Sequence, residues 1–187
     1  VPLELVEFER EGQRHPEDPL PAWAPLPFAD AEVAHKGNTV AGSYLVDTGA
    51  QMCIISTDTA LALGLDENGD GSVEDEAEMT MPVGGVGGQI QAPVFELDRF
   101  VLPTAEGVDL VWNGLTVLVV DIEGIPGVFG CDILTAGWTS ALLGGSGDGA
   151  VNQIHFDFRD DDTMAGAMLL DLNPDIDIVI PENAPVT

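Results

Sequence analysis

The chain has 187 residues, of which 33 are acidic and only five basic, for a formal net charge of −28. That balance excludes nucleic acid as a partner, because phosphates must be neutralised by Lys and Arg, and it disfavours docking on anionic lipid. At 45% hydrophobic residues the chain is too apolar for a disordered acidic tail. No apolar run approaches the roughly 18 residues of a membrane-spanning helix, and the first residues lack a signal-peptide core. The chain therefore reads as soluble, with no membrane insertion, and 22 Gly and 13 Pro favour turn-rich β structure over long helices.

In chain order, residues 1–27 alternate charge clusters with Pro16, Pro19, Pro21, Pro25 and Pro27 and read as an extended N-terminal arm without regular structure. From Phe28 the pattern changes. FADAEVA and TVAGSYLV predict two strands joined by a turn at HKGN. QMCIIS predicts a third strand, and TDTALALGL a short helix with Thr57 or Asp58 as N-cap and Gly64 as stop. Residues 66–78, DENGDGSVEDEAE, hold seven acids and predict a loop. Strands resume with MTMPV, QIQAPVFEL, a run around RFVLP, LVW and LTVLVVDI. GVFGCDILTAGW predicts a tight turn into a short helix. QIHFDF and AMLLDL predict two last strands around the acidic turn RDDDT, and residues 173–187 form a proline-containing tail.

The sharpest local feature is LVDTGAQ at 45–51. An apolar strand delivers Asp47 at its end, Thr48 can lock the loop through its hydroxyl, and Gly49 lets the chain turn. Alone, such a tripeptide is weak. Two further segments accompany it: VGGVGGQI at 83–90, a hairpin tip with paired glycines, and GVFGCDIL at 127–134, an apolar pair and glycine turn before a short helix. These three segments, in this order, resemble the retropepsin-like aspartic proteases, the single-lobe family that includes the retroviral enzymes. The resemblance covers about residues 26–137.

The resemblance implies an all-β fold, a closed or partly open β-barrel with short helices and a β-hairpin flap, over residues 28–172 with the acidic loop as an insertion. It implies an aspartic endopeptidase acting on polypeptides, with Asp47 catalytic and Thr48 and Gly49 supporting it. Ala50 and the flap residues Gly84, Gly85, Val86, Gly87 and Gly88 would contact substrate. Two carboxylates must share a proton for this chemistry, and no second such tripeptide occurs in the chain. The site would thus need Asp47 from two copies in a symmetric homodimer, and no cofactor. The alternative is an inactive member of the fold that serves as a calcium-binding or protein-interaction module. Cys131 stands where retroviral members carry an arginine that fixes the dimer, which places the interface in question more than the catalytic loop.

The acidic loop opens like an EF-hand, with Asp66, Asn68 and Asp70 at alternate positions, Gly71 at the turn and Ser72 after it. Ala77 stands where the bidentate acid belongs, with Glu76 beside it. Asp66, Asn68, Asp70, Ser72 and Glu76 are candidate ligands for a structural Ca²⁺; a solvated acidic loop is the other reading. In the fold the resemblance implies, the regions of Cys53 and Cys131 pack together. A Cys53–Cys131 disulfide is expected there, worth about 4 kcal/mol as a loop closure, against two reduced thiols as the alternative. A calcium loop and a disulfide suit an extracellular or periplasmic location. His15, His35 and His155 show no metal-ligand spacing with the cysteines.

Overall fold

The computed structural model describes residues 1–9, 23–85, 88–122, 124–134, 151–160 and 165–173. Ten strands and two short helices are found among them: β1 (Pro2–Glu9), β2 (Trp23–His35), β3 (Asn38–Val46), β4 (Ile54–Ser56), α1 (Thr57–Ala62), β5 (Met79–Gly85), β6 (Gly88–Leu102), β7 (Leu110–Val120), β8 (Gly127–Phe129), α2 (Cys131–Leu134), β9 (Val151–Asp160) and β10 (Ala165–Leu172). The strands form one sheet in the order β5-β6-β7-β4-β8-β3-β2-β1-β10-β9. A further pairing joins β2 to β6, with Val33 opposite Phe100, and this contact closes β6, β7, β4, β8, β3 and β2 into a barrel. The all-β barrel with a hairpin flap is the architecture expected from the sequence.

Alternation of inward and outward side chains explains the closure. Ala29, Ala31 and Val33 of β2 are buried, as are Tyr44 and Val46 of β3, Leu97 of β6, and Leu115, Val117 and Val119 of β7. Phe100 anchors the interior: its ring lies 6.1 Å from that of Tyr44, 5.9 Å from that of Trp112 and 5.8 Å from that of Phe129, edge-on or tilted. The β2–β3 turn puts Lys36 at φ +47° and Gly37 at φ +87°, the pair of left-handed residues that a two-residue hairpin turn requires.

Several elements differ from the sequence reading. The N-terminal arm is not irregular where it is described: β1 pairs with β2 from Glu4↔Phe28 to Glu9↔Trp23, and with β10 through Leu3↔Gly166. Prolines hid this. β3 ends at Val46, its last pair with β2 being Leu45↔Phe28. Among the described residues, one side of residues 23–27 of β2 therefore has no neighbour, and Pro25 and Pro27 can sit there without breaking a ladder. QIQAPVFEL and the run around RFVLP form one strand, β6, and LVW and LTVLVVDI likewise merge into β7. QMCIIS contributes only Ile54–Ser56 as strand. The N-cap of α1 is Ser56, whose hydroxyl accepts from the Thr59 amide, and Gly64 follows the helix at φ +76°. Of the C-terminal tail, only Asn173 lies within the described residues. Among the described residues no helix is long and apolar enough to cross a membrane.

The candidate active site

β3 ends at Val46 and presents Asp47, Thr48 and Gly49 as an exposed loop. The loop is held from inside and from outside. Inside it, the Gly49 amide donates to Asp47 Oδ1 at 2.8 Å and the Ala50 amide to the Asp47 carbonyl at 3.2 Å. A carboxylate that accepts the amide two residues ahead has its orientation set by the backbone. From outside, β8 supplies the frame. The Asp47 amide donates to the Phe129 carbonyl at 3.0 Å, and the Cys131 amide to the Ala50 carbonyl at 2.9 Å.

Close approach at this junction demands glycine. A Cβ on Gly130 would lie 2.5 Å from the carbonyl carbon and oxygen of Met52 and 2.9 Å from the Cys53 amide nitrogen. Gly127 is similarly closed off by the Ile54 carbonyl. The two short strands β4 and β8 pair antiparallel, Ile54 opposite Val128, while β8 runs parallel to β3 with Val46 opposite Phe129. β8 thus sits between the strand that enters the Asp47 loop and the strand that leaves it.

Sequence reasoning brought Cys53 and Cys131 to the right junction but misread their chemistry. The two are not joined in a disulfide. Cys53 Sγ donates to Asp132 Oδ1 at 3.0 Å and accepts from the Gly130 amide at 3.2 Å, whereas Cys131 Sγ donates to the Thr48 carbonyl at 2.9 Å. Each sulfur therefore has its own partner. Burial, reinforced by the Asp132 charge, pushes the Cys53 thiol far above its ordinary pKa. The Cys131 thiol is also raised, by burial and then by the charges of Asp132 and Asp47. Asp132 was not singled out as a site residue in the sequence. Its carboxylate also takes the Cys53 amide at 2.9 Å, so it ties α2 to the chain leaving the Asp47 loop. The only signal for that role was its place in the GVFGCDIL segment.

Of the glycines read as a flap, Gly84, Gly85 and Gly88 lie among the described residues. β5 and β6 form a hairpin in which Gly84 faces Gln89 and Gly85 faces Gly88; Val86 and Gly87 lie outside the described residues. Gly88 has φ +118°, a conformation that side chains resist. The stem of this hairpin packs on the chain that leaves the Asp47 loop. Met81 and Val83 join Met52, Ile54 and Val120 around the buried Ala92, Val94 and Leu118. The chain that leaves the Asp47 loop and the stem of the β5–β6 hairpin thereby share one apolar cluster.

The calcium ligands read from the acidic loop are not gathered into a cage. Asp66 accepts the amides of Gly69, Asp70 and Gly71, Asn68 accepts that of Asp70, Asp70 that of Ser72, and Ser72 Oγ that of Glu74. Glu76 accepts the Asn68 amide at 3.3 Å. The side chains thus fold the loop on itself, with Val73 as its buried anchor. Among the described residues no three His, Cys, Asp or Glu side chains come together in a way that could hold a metal ion.

The sequence model of the aspartyl protease family matches residues 31–133, more than half of the chain. The chain belongs to the aspartyl protease family. The match takes in the Asp47 loop, the flap and the Gly130 turn together, the three segments on which the retropepsin-like resemblance rests. Among solved structures, the chain is similar to a retropepsin-like aspartic protease from Rickettsia conorii. The identity is 19% and the TM-score 0.42, over 58% of this chain and 77% of that one. No curated protein matches the sequence.

Proposed function

We propose that this aspartyl protease family member is an active endopeptidase that works as a symmetric homodimer. The observation that carries the reading is the state of Asp47: an exposed carboxylate, backbone-oriented by the Gly49 amide, at the end of a strand framed by Phe129. One such carboxylate is half of the required pair. In the dimer, the Asp47 of each copy faces the other across the two-fold axis, and the two share one proton because both cannot ionise cheaply at close range. The ionised member takes a proton from a water as that water attacks the scissile carbonyl. The protonated member donates to the carbonyl oxygen, giving a tetrahedral intermediate whose collapse releases the amine. The flap hairpin closes over an extended polypeptide, and the apolar wall around Met52, Ile54, Met81 and Val83 receives its side chains.

The test compares wild type with Asp47→Asn on a mixed peptide library from acidic to neutral pH. Asparagine keeps the oxygen that accepts from Gly49, so the loop should persist while cleavage falls by at least ~10²–10⁴-fold. Mixing in an excess of Asp47→Asn should also poison the wild type, since mixed dimers hold only one carboxylate. Equal cleavage by the two proteins would remove the catalytic assignment. Activity proportional to the wild-type fraction alone would remove the shared site.

A further inference from the structure

One peptide group of the Asp47 loop, the unit between Thr48 and Gly49, is held at both ends. Its N–H end, the Gly49 amide, donates to Asp47 Oδ1 at 2.8 Å. Its C=O end, the Thr48 carbonyl, accepts from Cys131 Sγ at 2.9 Å. A trans peptide is planar, and its C=O and N–H point in opposite directions. Whatever fixes the direction of the carbonyl therefore fixes the direction of the amide.

The turn does not fix that direction by itself. Asp47, Thr48, Gly49 and Ala50 form a tight turn closed by the Ala50 amide on the Asp47 carbonyl. In such a turn the central peptide has two orientations, about half a rotation apart, and the closing bond is made in both. The second orientation needs positive φ at the third residue, which glycine adopts at little cost. Gly49 does not have positive φ here, and only in this orientation does its N–H face the Asp47 carboxylate. The fit is close, since a Cβ on Gly49 would lie 3.1 Å from Asp47 Oδ1. Thr48 is exposed, and water satisfies an exposed carbonyl in either orientation. A donor fixed to the protein favours one of them.

Cys131 is such a donor. It begins α2 directly after Gly130, whose contact with the backbone of Met52 and Cys53 leaves no room for displacement, and its own amide is tied to the Ala50 carbonyl. Burial, then the charges of Asp132 and Asp47, raise its thiol above the ordinary pKa, so the sulfur keeps the proton that it donates. We propose that Cys131 is a positioning residue for the hydrolytic reaction. Its S–H pins the Thr48 carbonyl, the shared peptide turns the Gly49 amide to Asp47, and the carboxylate is thereby presented at one angle. The role rests on the reading of Asp47 as the hydrolytic carboxylate.

Thr48–Gly49 is the only Thr-Gly pair in the sequence. Labelling threonine with ¹³C at the carbonyl and glycine with ¹⁵N therefore isolates this one peptide by NMR. The full-length wild type, Cys131→Ala and Cys131→Ser are compared by that signal, by urea unfolding, and by kcat and KM on a peptide that the wild type cleaves. Cys131→Ala should move the Thr48 carbonyl and Gly49 amide resonances together and leave the unfolding midpoint near that of wild type. Its kcat should fall about tenfold, with KM changed less than about twofold. Cys131→Ser, whose hydroxyl donates from the same place, should restore the resonances and most of kcat. The proposal fails if Cys131→Ala leaves either kcat or the paired resonances as in wild type. It also fails if serine does not restore kcat, which would make packing of the sulfur the cause. A wild type that cleaves no peptide removes the endopeptidase reading and this role with it, whereas the resonances still show whether the thiol holds the peptide.

Discussion

Gly130 shows how tightly the Asp47 loop is fitted to its neighbours. A methyl group there would press on the backbone of Met52 and Cys53, which has no rotamer to yield. Gly130→Ala should therefore destabilise the fold by about 2–3 kcal/mol in urea unfolding, and lower any hydrolytic activity with it. A loss under 0.5 kcal/mol would mean that β4 and β8 have room to separate. The same crowding explains why the cysteines remain thiols. Cys53 Sγ is enclosed between Gly130 and Asp132, and Cys131 Sγ is turned to Thr48. Proximity of two sulfurs to one junction is a property of the fold, whereas bonding depends on the direction each side chain takes. Only the first could be read from the sequence. The Asp47 loop was legible for the opposite reason: its defining bond spans two residues, from Gly49 back to Asp47, so the tripeptide contains its own geometry.

Short elements depend on caps and crosslinks more than on their own length, and α1 is the case in point. Its six residues are started by Ser56, whose hydroxyl accepts from the Thr59 amide at 3.1 Å and donates to Thr59 Oγ1 at 3.0 Å. Thr59 Oγ1 in turn donates to the Pro126 carbonyl at 2.9 Å, which also receives the Ser56 amide. Ser56→Ala removes the cap and unsettles this relay to the turn before β8. It should cost about 1 kcal/mol, rising toward 2 if the Thr59–Pro126 bond is lost as well, as measured by the midpoint of urea unfolding. The sequence placed this helix because its signals are local, but it gave the cap to Thr57 or Asp58, one or two residues after Ser56. It did not show β1 or the first residues of β2, since the prolines of the arm argued against strand, although among the described residues Pro25 and Pro27 face a side of β2 with no neighbour. Nor did it show that β8 separates β3 from β4, because Val128 meets Leu45 and Ile54 from far along the chain. Pairing between distant segments leaves no mark on either one.

At the scale of the whole molecule, two buried acids of the weak kind set an alkaline limit. Burial raises the Tyr44 hydroxyl above its ordinary 10.0, and its oxygen has no hydrogen-bond partner. Burial and Asp132 raise the Cys53 thiol above its ordinary 9.0. A raised value in the folded state means that the folded chain keeps these protons after the unfolded chain has lost them. Their stabilisation is fully present below about pH 9 and declines as pH rises beyond it, by up to ~1.4 kcal/mol per pH unit for each group. Urea unfolding from pH 8 to 10.5 should show this decline, with an earlier onset in wild type than in Cys53→Ala. An unchanged profile in the variant would assign the alkaline limit elsewhere. The net charge of −28 adds self-repulsion across the same range. One topological fact has a temporal meaning. β8, which fills the gap between β3 and β4 and offers the Phe129 carbonyl to Asp47, is made long after both. A ribosome that has released residues 1–126 has exposed the aspartate, its threonine and its glycine, yet not the strand that holds them in place. Until β8 is made, the Asp47 amide lacks the Phe129 carbonyl to which it donates in the folded chain.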